Sequence, residues 1–162
     1  MRELPGYKNC FVCGHNNDAG LNMTWLKTDD SVQGTYLAQE KHCSYSGILH
    51  GGIIASLLDE CVGWAVSQKE KKMYVTGELT ISYKMSVPTG SKLNIIGFYS
   101  EEQAEDKIYR NGHGHIIDDE GTIYAKAKGV FFPIPDAHAD SISTVLEIQG
   151  TNGNVTPEEL WK

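Results

Sequence analysis

His50-Gly51-Gly52-Ile53-Ile54-Ala55-Ser56-Leu57-Leu58-Asp59-Glu60-Cys61-Val62-Gly63-Trp64-Ala65-Val66-Ser67 decides how this 162-residue chain folds. From Ile53 onward nearly every residue is apolar or small, so hydrophobic side chains cover most of a helix circumference. A helix that is apolar almost all round is buried rather than laid on a surface. The exceptions are ordered: Ser56, Asp59, Glu60, Gly63 and Ser67 recur at helical spacing and form one narrow polar stripe.

Outward from this segment the period changes. Past Lys69-Glu70-Lys71-Lys72, residues 73–87 are rich in Val, Ile, Thr and Tyr and close on Pro88-Thr89-Gly90. Residues 92–100, 107–117 and 122–132 are further strand candidates, the last two joined by the turn Asp118-Asp119-Glu120-Gly121. On the other side, residues 21–28 and 31–38 carry β-formers around Asp29-Asp30 and predict a hairpin. Residues 1–20 are polar and rich in Gly and Asn, and read as an irregular leader containing Cys10-Phe11-Val12-Cys13-Gly14. Residues 134–162 form a C-terminal extension, in which Thr156-Pro157-Glu158-Glu159 predicts an N-cap, a Pro at the first helical position and an acidic first turn. Strands, one buried helix, then antiparallel strands make an α+β domain over residues 1–162, with a sheet wrapped around one helix.

The length suits one domain that needs no disulfide or metal to fold. No stretch approaches the ~20 apolar residues of a membrane helix, and the first residues lack the apolar core of a signal peptide, so a cytoplasmic protein is expected. The formal charge of −7 argues against nucleic acid or an anionic membrane as main partner. The four cysteines are then expected to be reduced.

Two features of the helix point to chemistry. Gly51 and Gly52 open it, where backbone N–H groups lack partners and the dipole is positive. Glycine lets a ligand approach that backbone, and such donors can hold a carbonyl oxygen as it gains charge; the same pair also serves plain close packing. Asp59 is an acid among apolar neighbours, costly there unless it is paired, reaches water or lines a cavity. As a functional group it would be a general base or nucleophile. The two features are eight residues apart, ~12 Å along a helix, so one carbonyl cannot touch both in one chain. If both act on one bond, Asp59 comes from a second copy, and a symmetric dimer would hold two equivalent sites.

His50-Gly51-Gly52 followed by Asp59 nine residues after His50 resembles the helix signature of the hotdog-fold acyl-CoA thioesterases, in the branch of the phenylacetate-pathway enzymes. The leader Cys10-Phe11-Val12-Cys13-Gly14, Asn17 and Gly20-Leu21 is similar too, as is Thr76-Gly77-Glu78-Leu79-Thr80-Ile81-Ser82-Tyr83 followed by Pro88. The resemblance implies a hotdog fold, an antiparallel sheet curled around a long central helix. It implies a homodimer or homotetramer and hydrolysis of an acyl-CoA thioester without a cofactor or metal. By the same resemblance the Gly51 N–H polarises the carbonyl. Asp59 of the other chain activates water or attacks directly, Thr76 positions the water, and His50 supports the helix start and the carbonyl. Gly52 and Glu60 fall on the substrate side. Some relatives carry Asn six residues before the His; here Ser44 stands there, and no role is carried over to it.

Other candidates are weaker. Cys10 and Cys13 make a CxxC whose further zinc ligands would have to come from His15, His42 or Cys43; a packed loop is the simpler expectation. His113 and His115 share one strand face. Arg110 or Lys84 are natural partners for CoA phosphates. Cys61 and Trp64 are expected in the core. The competing function is a non-catalytic acyl-CoA binder or sensor of the same fold, which Asp59 argues against. A hotdog dehydratase would place its Asp and His differently.

Overall fold

Helix α1 spans Gly51–Glu70 in the computed structural model, which describes residues 1–102, 107–149 and 153–162. It outlasts the apolar run because Ser67 and Gln68 are buried as well, Gln68 donating from Nε2 to the Leu160 carbonyl at 3.0 Å. It stops at Lys71, which takes a left-handed conformation (φ 52°) and returns its N–H to the Ser67 carbonyl.

The strands are β1 (Arg2–Glu3), β2 (Gly6–Tyr7), β3 (Leu26–Lys27), β4 (Val32–Leu37), β5 (Cys43–Tyr45), β6 (Ile48–Leu49), β7 (Tyr74–Tyr83), β8 (Lys92–Tyr99), β9 (Arg110–Ile117), β10 (Ile123–Pro133) and β11 (Leu146–Glu147). Two further helices, α2 (Asp136–Ser143) and α3 (Pro157–Leu160), lie in the C-terminal extension. Seven strands form one antiparallel sheet in the order β1-β3-β4-β8-β9-β10-β7. Its concave face holds α1: Leu57, Leu58 and Cys61 of the helix share one core with Ile95, Ile116 and Ala125 of the sheet. This is the α+β hotdog arrangement expected from the sequence. Among the described residues, no helix is long and apolar enough to cross a membrane.

Three local expectations are sharpened. The first hairpin is short, because Leu21, Met23 and Trp25 sink into the core instead of extending the strand; only Leu26 and Lys27 pair, with Gln33 and Val32. The leader is irregular except where β1 pairs β3 and β2 pairs β11. The long strand ends at Tyr83, after which the Lys84 and Met85 N–H groups both turn to the Tyr124 carbonyl.

The tail folds as read. Thr156 caps α3 in a capping box with Glu159, and buried Leu160 anchors it. Strand β7 is the outermost strand of the sheet beside α1, and its outer edge has no strand partner among the described residues. Val75, Tyr83 and Met85 stand exposed along or just beyond it.

Candidate active site

His50 sets the start of α1. Its backbone is extended (φ −66°, ψ 135°), and its Nδ1 accepts from the Gly52 N–H at 2.8 Å. A neutral imidazole that accepts at Nδ1 carries its proton on Nε2, so the exposed ring presents an Nε2–H donor outward. The His50 carbonyl accepts from Ile53 and Ile54. That leaves the Gly51 N–H as the donor of this turn with no acceptor among the described residues. The Gly52 N–H, expected to face substrate, is used by His50 within the chain.

The glycines differ in why they are glycines. A Cβ on Gly52 would lie 3.0 Å from His50 Nδ1, against the cap itself. At Gly51 a Cβ would meet only the Tyr83 ring, at 3.4 Å, an ordinary contact. Tyr83, a residue not picked out from the sequence, donates its hydroxyl to the Gly51 carbonyl at 3.0 Å. Packing within the chain thus accounts for glycine at position 52 and does not require it at position 51.

Asp59 sits two turns along, where α1 faces the other end of β7. Thr76 Oγ1 donates to Asp59 Oδ1 at 2.7 Å. A bulge makes this possible. Phe131 pairs with Thr76 and Val130 with Glu78, so Gly77 is passed over. Without the extra residue Thr76 would share a face with Glu78 and Thr80; with it, Thr76 faces the helix, as Leu79, Ile81 and Tyr83 do.

Asp59 and Thr76 border a cavity of about 440 Å³. The expected stripe forms part of its wall, since Ser56, Asp59, Glu60, Gly63 and Ser67 all line it. Val12 of the leader and Met73 and Tyr74 of the opposite wall complete it, and Trp64, expected in the core, also reaches it. Glu60 is committed elsewhere: Oε1 accepts from Trp25 Nε1 at 2.9 Å, and Oε2 lies 3.3 Å from Cys10 Sγ. Burial pushes its carboxyl up to about 8.

The remaining candidates lie apart. His113 stacks on Phe98 and His115 lies tilted against it, with ring centroids 5.3 and 5.7 Å away. Arg110 is held by Glu70, Nε to Oε2 at 3.1 Å. Cys61 is fully buried and donates to the Val32 carbonyl. His15 pairs with Glu147 at 3.2 Å and His42 with the Tyr36 hydroxyl; the acid beside the CxxC is instead Glu60.

Residues 46–100, which contain α1, β7 and β8, match the family model of the thioesterase superfamily. No curated protein matches the chain in sequence. Among solved structures, a thioesterase superfamily protein is 25% identical with a TM-score of 0.67, over 75% of this chain and 62% of its own. The chain therefore spans less than two thirds of that relative. A Streptococcus mutans UA159 protein, solved bound to acetyl-CoA, is 24% identical with a TM-score of 0.62, over 70% of this chain and 89% of its own. The PaaI protein of the Escherichia coli phenylacetic acid degradation operon is 18% identical with a TM-score of 0.64, over 75% and 88%. The last two likenesses are likenesses of fold.

Proposed function

We propose that this chain, a hotdog-fold member of the thioesterase superfamily, hydrolyses an acyl-CoA thioester to the free acid and CoA. The observation that carries the reading is the pair of half-sites flanking one unpaired strand edge. An open Gly51 N–H stands by Tyr83 at one end of β7, and Asp59 held by Thr76 stands at the other. Membership in the superfamily supports thioester hydrolysis in general. The structural neighbour that holds acetyl-CoA supports CoA as the thiol.

The two halves meet if β7 pairs antiparallel with its own copy. A two-fold axis near Leu79 and Thr80 sets Thr76 of one chain across from Tyr83 of the other. Asp59 then approaches the Gly51 N–H of the partner subunit, and two equivalent sites form. The exposed edge supports this, since an unpaired strand is a template for another.

In such a site the thioester carbonyl accepts from the Gly51 N–H, with the His50 Nε2–H beside it. Both strengthen as the oxygen gains charge. Asp59 takes a proton from water as it attacks, or attacks first to form an acyl anhydride that water then opens. CoA leaves as the thiolate and takes up the proton that the attacking water loses, passed through Asp59 when that residue acts as the base. The Thr76 hydroxyl donates to one Asp59 oxygen and leaves the other free for the reacting partner. The cavity walled by Trp64, Met73 and Tyr74 is the volume open to the acyl group.

A panel of aromatic and straight-chain acyl-CoA substrates with thiol detection tests the reading, run on wild type and Asp59→Ala. Turnover in the wild type that Asp59→Ala loses is the expected result. Tight binding of acyl-CoA without turnover anywhere in the panel would instead make the chain a binder of the same fold.

A further inference from the structure

A second cluster lies beyond the wall that carries Asp59, in the leader. Residues 10–14 fold as a tight knuckle: the Val12 N–H donates to Cys10 Sγ at 3.3 Å and the Gly14 N–H to the Cys10 carbonyl at 3.0 Å. Only glycine fits at position 14, where a Cβ would lie 2.3 Å from that carbonyl oxygen. The turn folds Cys13 back beside Cys10. Glu60, 50 residues on, reaches the pair from the middle of α1, and its carboxylate and both Sγ atoms lie within 4.8 Å of one another.

Nothing cationic offsets this gathering. Among the described residues, no Lys or Arg forms a hydrogen bond or ion pair with any of the three groups. Cys10 Sγ and Glu60 Oε2 lie 3.3 Å apart, within hydrogen-bond reach. Hydrogen bonding with Cys13 holds Cys10 down to about 5, while that bond and burial push the Cys13 thiol up. Two thiols and a carboxyl held this close favour a bound dication over the ionised groups alone. The carboxylate is also pre-aimed. Glu60 Oε1 accepts from the indole N–H of Trp25, which is 1% exposed, leaving Oε2 toward the sulfurs. A ligating carboxylate fixed from behind by a hydrogen bond is the usual support of a metal ligand.

We propose that Cys10, Cys13 and Glu60 form a zinc site that clamps the leader onto α1. Two thiolates and one carboxylate suit zinc, and three protein ligands leave one coordination position for water. The clamp has a structural consequence for the cavity. Val12, between the two cysteines, and Glu60 are both part of its wall. The site is independent of whether the cavity cleaves thioesters.

The test uses the full chain, reduced and stripped of metal, titrated with Co²⁺ as a spectroscopic probe and with Zn²⁺ against a chromogenic chelator. We expect saturation at one equivalent, with a thiolate-to-cobalt charge-transfer band that Cys10→Ser and Cys13→Ser both lose. Glu60→Gln keeps both thiols and binds zinc more weakly, by roughly tenfold or more. The melting temperature rises on adding zinc to the wild type. A wild-type chain that gives no charge-transfer band at saturating Co²⁺ overturns the proposal, as does one whose only cysteine chemistry is a Cys10–Cys13 disulfide. The wild-type titration decides the matter even where a serine variant fails to fold.

Discussion

Thr76 Oγ1 donates to Asp59 Oδ1 at 2.7 Å, tying the edge strand β7 to the second turn-pair of α1. The bond joins Asp59, the acid of the helix that faces the cavity with no other protein partner among the described residues, to the strand through which a second chain would pair in the proposed dimer.

Asp59→Ala removes the reacting carboxylate. Turnover should fall by ~10²–10⁴-fold, the span of general acid–base catalysis. Stability should change by about 1 kcal/mol or less, because Asp59 is partly exposed and loses a single hydrogen bond. Steady-state kinetics beside a thermal melt separate the two; equal turnover in the variant removes Asp59 from the mechanism.

Thr76→Val keeps the shape and loses the hydroxyl. A hydrogen bond to a charged group is worth about 1.5–3 kcal/mol, so kcat should drop roughly 10–100-fold, and Thr76→Ser should recover most of it. A Val variant with wild-type kcat would mean that the bond is incidental.

Gly77 aims Thr76 through the bulge, and its close neighbour is the Phe132 ring, 2.4 Å from where a Cβ would be. Gly77→Ala should cost about 1–3 kcal/mol by overpacking and reduce turnover along with it. In a Phe132→Ala background the stability cost should vanish. If it persists there, the bulge needs glycine for its backbone and not for this contact.

Burial holds both His42 and His115 below the ordinary value of 6.5, with Lys41 and Lys126 as the next contributors. The unfolded chain then binds more protons than the folded one just below 6.5. The stability from these two groups is full above that value and is lost as pH falls through their depressed values. Between pH 7.5 and 5.5, a span of about two units around the His range, the wild type should lose more melting temperature than His42→Gln/His115→Gln. Parallel curves would contradict it.

Much of this was legible before the structure, for identifiable reasons. An unbroken apolar run with a glycine start marked α1, because burial on all sides leaves no other reading. Asp59 and Thr76 were placed by resemblance, and the structure brings them into contact. The bulge at Gly77 was hidden, since a glycine within a strand looks the same whether or not the ladder skips it. Helical spacing puts Glu60 on the stripe with Asp59, and both border the cavity, but consecutive helical residues point about 100° apart and their polar atoms find different partners. Asp59 turns to β7 and Glu60 turns to Trp25 and Cys10. Tyr83 and Trp64 carried no sequence signal of their own: their parts depend on how the sheet curls around α1.

In the proposed dimer each site takes its donor from one chain and its acid from the other. Gly51→Pro tests the donor cleanly. Position 51 is the first of α1, where proline is tolerated and simply removes the N–H, and His50 already has the extended backbone that precedes proline. Gly51→Pro and Asp59→Ala should each be nearly inactive. Unfolded together and refolded as a mixture, they should regain activity, because a mixed dimer holds one site with both the N–H and the acid. Random pairing puts half of the dimers in that class with one of two sites intact, so about a quarter of wild-type turnover is predicted. A mixture no more active than either variant alone would contradict the shared site.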